Sequence, residues 1–289
     1  MKAPTIFINI LSLASLYLAV SCNEEEQHDQ TVSTILATIE QSSTRTALDG
    51  PDADGVYKTI WSSDDAIAVF SGSNAASEFK LTSGANTNTA EFEGNAASDN
   101  MVTIYPYSIV KGRTGSTISV TLPEVQEYVS GNIPQGAYPM AAVSDGAVLP
   151  FYNLCSVLRL RMFGELTVKS ITFTPNDAST KASGNATVNA ADKMLTMSSD
   201  AEATVKLNCA NGVKLTRTST DFLMVVPAQK YTGGFTITIS TDQGAVVKAV
   251  KSDVTLSRSV LYPIKAFECK IEQSKDNIVF EDANFKAYM

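Results

Sequence analysis

His28 is the only histidine in the chain, and it stands in a short polar run, Glu24-Glu25-Glu26-Gln27-His28-Asp29-Gln30. A Ser-His-Asp or Cys-His arrangement inside a folded domain therefore has no base to build on. A histidine-based zinc site lacks its ligands for the same reason. The acidic pair Asp64-Asp65 is the one remaining place for carboxylate chemistry. Neighbouring residues on a strand point to opposite faces, and a pair just before a strand commonly caps a corner. A glycosidase needs two carboxylates facing each other across a cleft, and this spacing offers no such pair. There is no Gly-rich phosphate loop and no calcium loop. The residues assign no catalytic, cofactor or metal site, and the reading is of a protein that is not an enzyme. Cys155, Cys209 and Cys269 form no CxxC spacing and are odd in number, so they specify neither a disulfide nor a metal.

Cys22 is different, because its context is specific. Lys2 opens the chain, residues 6–20 are mostly apolar, and Leu18-Ala19-Val20-Ser21 leads into Cys22. The apolar run is short for a membrane span. Small residues before a cysteine at this place resemble the lipobox of bacterial lipoproteins, in which residues 1–21 are removed and Cys22 carries the lipid. The acidic run 22–30 reads as a hydrated tether. It also resembles the export signal of surface lipoproteins in Bacteroidetes. The localisation expected is the outer membrane, facing outward, as a lipid-anchored or fimbrial protein.

The rest of the chain must position whatever surface the protein uses. Its 289 residues can bury a sizeable core. Asp and Glu total 30 against 22 Lys and Arg, a formal charge of −8, which argues against a nucleic-acid partner. Short period-two runs recur at intervals of about ten residues, the rhythm of sandwiches and barrels. Residues 31–40 (TVSTILATIE) form the first; the parity break between Val32 and Ile35 predicts a bulge or register change. Residues 151–176 read as a long hairpin turning at Gly164-Glu165. Phe222-Leu223-Met224-Val225-Val226 is continuously apolar, as a strand buried on both faces can be. No amphipathic helix pattern appears. Arg159 and Arg161 share an outward face, read as a solvated face or a contact surface. Trp61, Tyr105, Tyr107 and Tyr128 read as core or rim residues, or as the lining of a sugar-binding surface.

Trp61-Ser62-Ser63-Asp64-Asp65-Ala66-Ile67-Ala68-Val69-Phe70 resembles a tryptophan–aspartate–aliphatic block of the Bacteroidetes fimbrillin family. Thr44-Arg45-Thr46 lies upstream of it. Tyr105-Pro106-Tyr107, Leu122-Pro123 with Gln126 and Tyr128, and Pro139-Met140 match further blocks in order. So do Phe151-Tyr152-Asn153-Leu154-Cys155, Val226-Pro227-Ala228-Gln229 and Arg258-Ser259-Val260-Leu261-Tyr262-Pro263-Ile264. The resemblance covers roughly residues 40 to 268. It implies an all-β protein of two antiparallel β-sandwich domains of transthyretin-like character, at 31–148 and 149–270, with a tail at 271–289. It implies a non-enzymatic structural or adhesive surface protein, partnered by copies of itself or other fimbrial subunits. The alternative is an anchored glycan-binding or host-binding adhesin that does not polymerise.

For members that polymerise, the resemblance implies that an arginine-specific protease removes an N-terminal strand and another subunit's strand fills the groove. Arg45 is the processing position expected here. The incoming strand would come from residues 255–267 or from the tail, where Ile278 and Phe280 supply alternate apolar side chains. Residues 280–288 (FEDANFKAY) also resemble the lead-in to leucine-rich repeats in related surface proteins, and the ending reads as a truncation or as a short docked tail.

Overall fold

The computed structural model describes residues 32–40, 59–72, 75–95, 100–144, 146 and 148–271, with the backbone of 276–277. Cys22, Arg45, Ile278 and Phe280 lie outside the described residues.

The strands follow the alternation of the sequence. The first ten are β1 (Val32–Ile39), β2 (Ala66–Ser71), β3 (Ser77–Ser83), β4 (Thr89–Asn95), β5 (Met101–Tyr105), β6 (Val110–Thr114), β7 (Thr117–Leu122), β8 (Val125–Glu127), β9 (Met140–Ser144) and β10 (Val148–Asn153). Then come β11 (Cys155–Gly164), β12 (Thr167–Pro175), β13 (Gly184–Asn189), β14 (Met194–Met197), β15 (Val205–Lys214), β16 (Thr220–Pro227) and β17 (Lys230–Tyr231). The last are β18 (Phe235–Thr241), β19 (Ala245–Val250), β20 (Val254–Thr255), β21 (Leu261–Pro263), β22 (Phe267–Cys269) and β23 (Asp276–Asn277). A single 3-10 turn at Tyr107–Ile109 is the one helical element among the described residues.

These strands build several sheets. The order β1-β10-β9-β5-β2-β3-β4 closes on itself, because β4 pairs back to β1, and the result is a seven-stranded barrel. Closure removes the exposed edges that an open sheet would carry. A second sheet runs β14-β13-β7-β6. A third holds β16 against β11, with β21 and β22 lying parallel along the other side of β11. A fourth runs β23-β19-β18-β12-β15-β8. The fold is therefore nearly all-β, as expected, but its N-terminal part is a closed barrel rather than an open sandwich. Two sheets also join strands from both halves of the chain: β13 pairs with β7, and β8 pairs with β15.

Three apolar clusters fill the layers. Ile35, Trp61, Phe79, Phe92 and Phe151 pack inside the barrel. Leu158, Leu160, Phe222 and Met224 face Ile171, Phe173, Ile237 and Ile239 between the third and fourth sheets. Val157, Leu223 and Val225 point the other way, onto Ile118, Val120 and the barrel's outer residues Phe70 and Ile104. The third sheet is thus buried on both faces, which is why the 222–226 run needs no polar parity.

The expected hairpin over residues 151–176 does not form. Phe151 belongs to β10, which stays in the barrel wall to Asn153, and β11 starts a different sheet after Leu154, whose N–H bonds Pro139 O at 2.9 Å. β11 pairs with β16, from Cys155–Pro227 to Met162–Thr220, while β12 lies between β15 and β18. The two strands face each other across a core instead of sharing hydrogen bonds. Gly164 makes the crossing at φ +144°, a region that L side chains avoid, and a Cβ there would stand 2.8 Å from Cys269 O.

Candidate functional site

β1 is the wall segment that closes the barrel. Ile35, Ala37 and Ile39 are buried, while Val32 (65% exposed) and Leu36 (36%) face outward. The sequence suggested a bulge between Val32 and Ile35; the register with β4 instead runs unbroken from Val32–Asn95 to Thr38–Thr89. Val32 keeps the strand's parity and simply points to solvent. On its other side β1 runs parallel to β10, from Leu36–Val148 to Ile39–Phe151. Its last bonds are Ile39 N–H to Asn88 O at 2.9 Å and Glu40 N–H to Phe151 O at 2.8 Å.

Beneath this strand lies Trp61, fully buried. Its ring meets Phe92 on β4 and Phe151 on β10 edge-on, at centroid distances of 5.0 and 5.3 Å. The two strands that flank β1 are thus bridged by one indole. Burying each isoleucine of β1 contributes roughly 1.5–3 kcal/mol. Without β1, the edges of β4 and β10 and an apolar furrow between them would be open to pairing.

The end of β1 is held by a residue from far along the chain. Arg258 Nη1 donates to Glu40 Oε1 at 2.6 Å, and the Ser259 hydroxyl donates to the same oxygen. Arg258 also lies over the Tyr152 ring, 5.8 Å from its centroid. Ser259 has φ +60° and its N–H bonds Cys155 O at 3.0 Å. The Arg258-Ser259 pair was legible as a block of the sequence; that its partner is Glu40 was not.

Of the other candidates, Asp65 turns inward while Asp64 stays exposed, so the two carboxylates do not converge. Asp65 Oδ2 accepts from Ser62 N–H at 2.7 Å and Oδ1 from the Tyr105 hydroxyl at 2.8 Å. Burial holds its carboxyl above the usual range, against the opposing pull of those hydrogen bonds. Arg159 grips Asp221 Oδ2 with Nε and Nη2 at 3.0 and 2.7 Å, and Arg161 lies 3.9 Å from Oδ1. All three are half-buried, so this is a paired cross-strand cluster rather than a freely solvated face. Trp61 and Tyr105 meet at an interplanar angle of 84° inside the protein, and Tyr128 packs 5.0 Å from Phe222. They form no flat exposed platform.

No family model matches the chain, and no curated protein matches it. Solved structures do. A "putative cell adhesion protein" from Bacteroides ovatus aligns with 87% of this chain and 97% of its own, at 10% identity and a TM-score of 0.53. This chain shares that protein's fold. A second "putative cell adhesion protein", from Bacteroides uniformis, covers 87% of this chain and 98% of its own at 16% identity and a TM-score of 0.47. The tip fimbrial protein Mfa3 from Porphyromonas gingivalis covers 86% and 99%, at 9% identity and a TM-score of 0.36.

Proposed function

We propose that this chain is a cell-surface structural or adhesive subunit, anchored through a lipid on Cys22, in which β1 occupies the seat that a strand of another subunit takes on assembly. The observation that carries the reading is the position of β1. It closes a barrel, is flanked by β4 and β10, and is the first described element after the acidic segment. A cut after Arg45 would separate residues 22–45, lipid and β1 together, from the remainder. A replacing strand would have to supply the buried alternation of Ile35, Ala37 and Ile39. The tail with Ile278 and Phe280 is the donor we favour.

The test treats the purified precursor with an arginine-specific protease. Loss of residues 22–45 followed by SDS-resistant ladders, absent in Arg45→Ala, supports strand replacement. Clean cleavage that leaves a monomer sinks it, and leaves a permanently anchored accessory or adhesin. Mass spectrometry of the membrane-extracted protein decides the anchor separately: an intact or unacylated N-terminus overturns it.

A further inference from the structure

Glu40, at the end of β1, is held by a clamp that belongs to another part of the chain. Arg258 Nη1 and the Ser259 hydroxyl both donate to one oxygen of its carboxylate, the first at 2.6 Å. Among the described residues, Glu40 is the acid that Arg258 meets. A cut after Arg45 takes Glu40 away with β1 and leaves the clamp behind.

The clamp does not depend on β1 for its shape. Residues 256–260 are pinned to β11 and to the chain just after β16. Leu256 N–H bonds Gln229 O at 3.0 Å, the Ser156 hydroxyl bonds Ser257 O at 2.9 Å, and Ser257 N–H bonds the Tyr262 hydroxyl at 2.8 Å. Ser259 N–H bonds Cys155 O and Val157 N–H bonds Val260 O, both at 3.0 Å. Arg258 Nη1 also donates to Asn153 O at 3.4 Å. Its guanidinium lies 5.8 Å from the centre of the Tyr152 ring, which Lys193 Nζ approaches at 3.4 Å. None of these partners leaves with β1. Once Glu40 is gone, two cations share one ring, and a guanidinium and a hydroxyl converge on the place its carboxylate held. A partly buried cation that loses its acid keeps the cost of its own desolvation. Converging charged and neutral donors of this kind select a carboxylate.

The position of that carboxylate along the strand is fixed. Glu40 directly follows Ile39, the last buried side chain of β1, and its N–H bonds Phe151 O at 2.8 Å. Buried Ala37 stands two residues before Ile39. The tail repeats this order, for Ile278, Phe280 and Glu281 stand at the spacing of Ala37, Ile39 and Glu40. Further upstream the order differs, because Asp276 falls at the place of Ile35. The apolar match is therefore short, and the charge at the clamp end sets the register.

We infer that Arg258 and Ser259 recognise a carboxylate on the incoming strand, and that Glu281 in the tail of a second copy supplies it. The inference rests on strand replacement and adds to it the chemistry that selects the donor and its register.

The experiment treats the full precursor with an arginine-specific protease and follows the rate at which SDS-resistant ladders form in the parent, Glu281→Gln, Arg258→Gln and the double variant. Glu281→Gln keeps every arginine and should be cut as the parent is, yet form ladders at least ~5-fold more slowly. Arg258→Gln loosens β1, which by itself would hasten ladders, so slower ladders in this variant report the incoming strand. The double variant should be no slower than the slower single one, because both changes remove the same contact. Asp276→Ile, which gives the donor its missing apolar side chain, should speed ladders. An unchanged rate in Glu281→Gln, or Arg258→Gln ladders as fast as the parent's, overturns the inference and leaves strand replacement standing. Slower ladders from Asp276→Ile overturn the register. No ladders from the parent sinks strand replacement, and this inference with it.

Discussion

Arg258 holds Glu40 across 218 positions of sequence, through a 2.6 Å contact that ties the end of β1 to the loop entering β21. The pair is partly shielded, with side-chain exposures of 34% and 19%. Charge-assisted bonds in such settings lie between the weak exposed pair and the strong buried one. Arg258→Gln should therefore cost about 1–2 kcal/mol, lowering Tm by about 2–6 °C. In a double-mutant cycle, adding Glu40→Gln to Arg258→Gln should cost less than the sum. Strict additivity would show that the contact does not hold β1.

Gln126 does for β16 what a neighbouring strand would do. Its Nε2 donates to Val225 O at 2.8 Å and its Oε1 accepts from Val225 N–H at 3.0 Å. Gln126→Ala should leave two buried backbone groups unpaired, costing about 2–4 kcal/mol. Gln126→Glu should also destabilise at neutral pH, since a carboxylate can accept from the N–H but cannot donate to the carbonyl. Denaturant titration of both variants checks this; a loss under half a kilocalorie (~0.5 kcal/mol) for Gln126→Ala would contradict it.

Asp65 should tie stability to pH. Burial raises its folded-state pKa above the ordinary 3.8, so the folded protein holds this proton more tightly than the unfolded chain. Its contribution is greatest below about pH 3.9 and is lost as pH rises through the folded-state value. Comparing Asp65→Asn with the parent between pH 3.5 and about 7 should show the parent's stability falling relative to the variant. An unchanged difference across that window would refute the shift.

The three buried thiols should be inert. Burial pushes Cys155 up to about 12, and Cys209 and Cys269 up to about 11. Because the thiolate is the reactive form, alkylation at about pH 8 should be negligible in the native chain. In denaturant all three should label. Rapid native labelling of any one would show that its layer opens.

Proximity along the chain misled the reading of β11 and β12. Gly164-Glu165 between two alternating runs has the signature of a hairpin, yet the chain crosses from one sheet to the next. Alternation says which faces are buried and is silent about whether the next strand lies beside or opposite. A cavity of about 280 Å³ at one end of the barrel was hidden for a related reason. Trp61, Asn86 and Asn132 come from three loops with no shared pattern, and only closure of the barrel brings them together.

The sequence by itself determined the strand content, the burial of β16 on both faces and the corner at Asp65. These follow from local rules: period two sorts side chains by face. The tertiary structure alone decided that β1 closes a barrel, that β13 joins β7, and that Glu40 meets Arg258. Each is a pairing between segments far apart in the chain, where many partners satisfy the same local pattern. The choice among them falls to the packing of whole layers, which no single stretch of sequence contains.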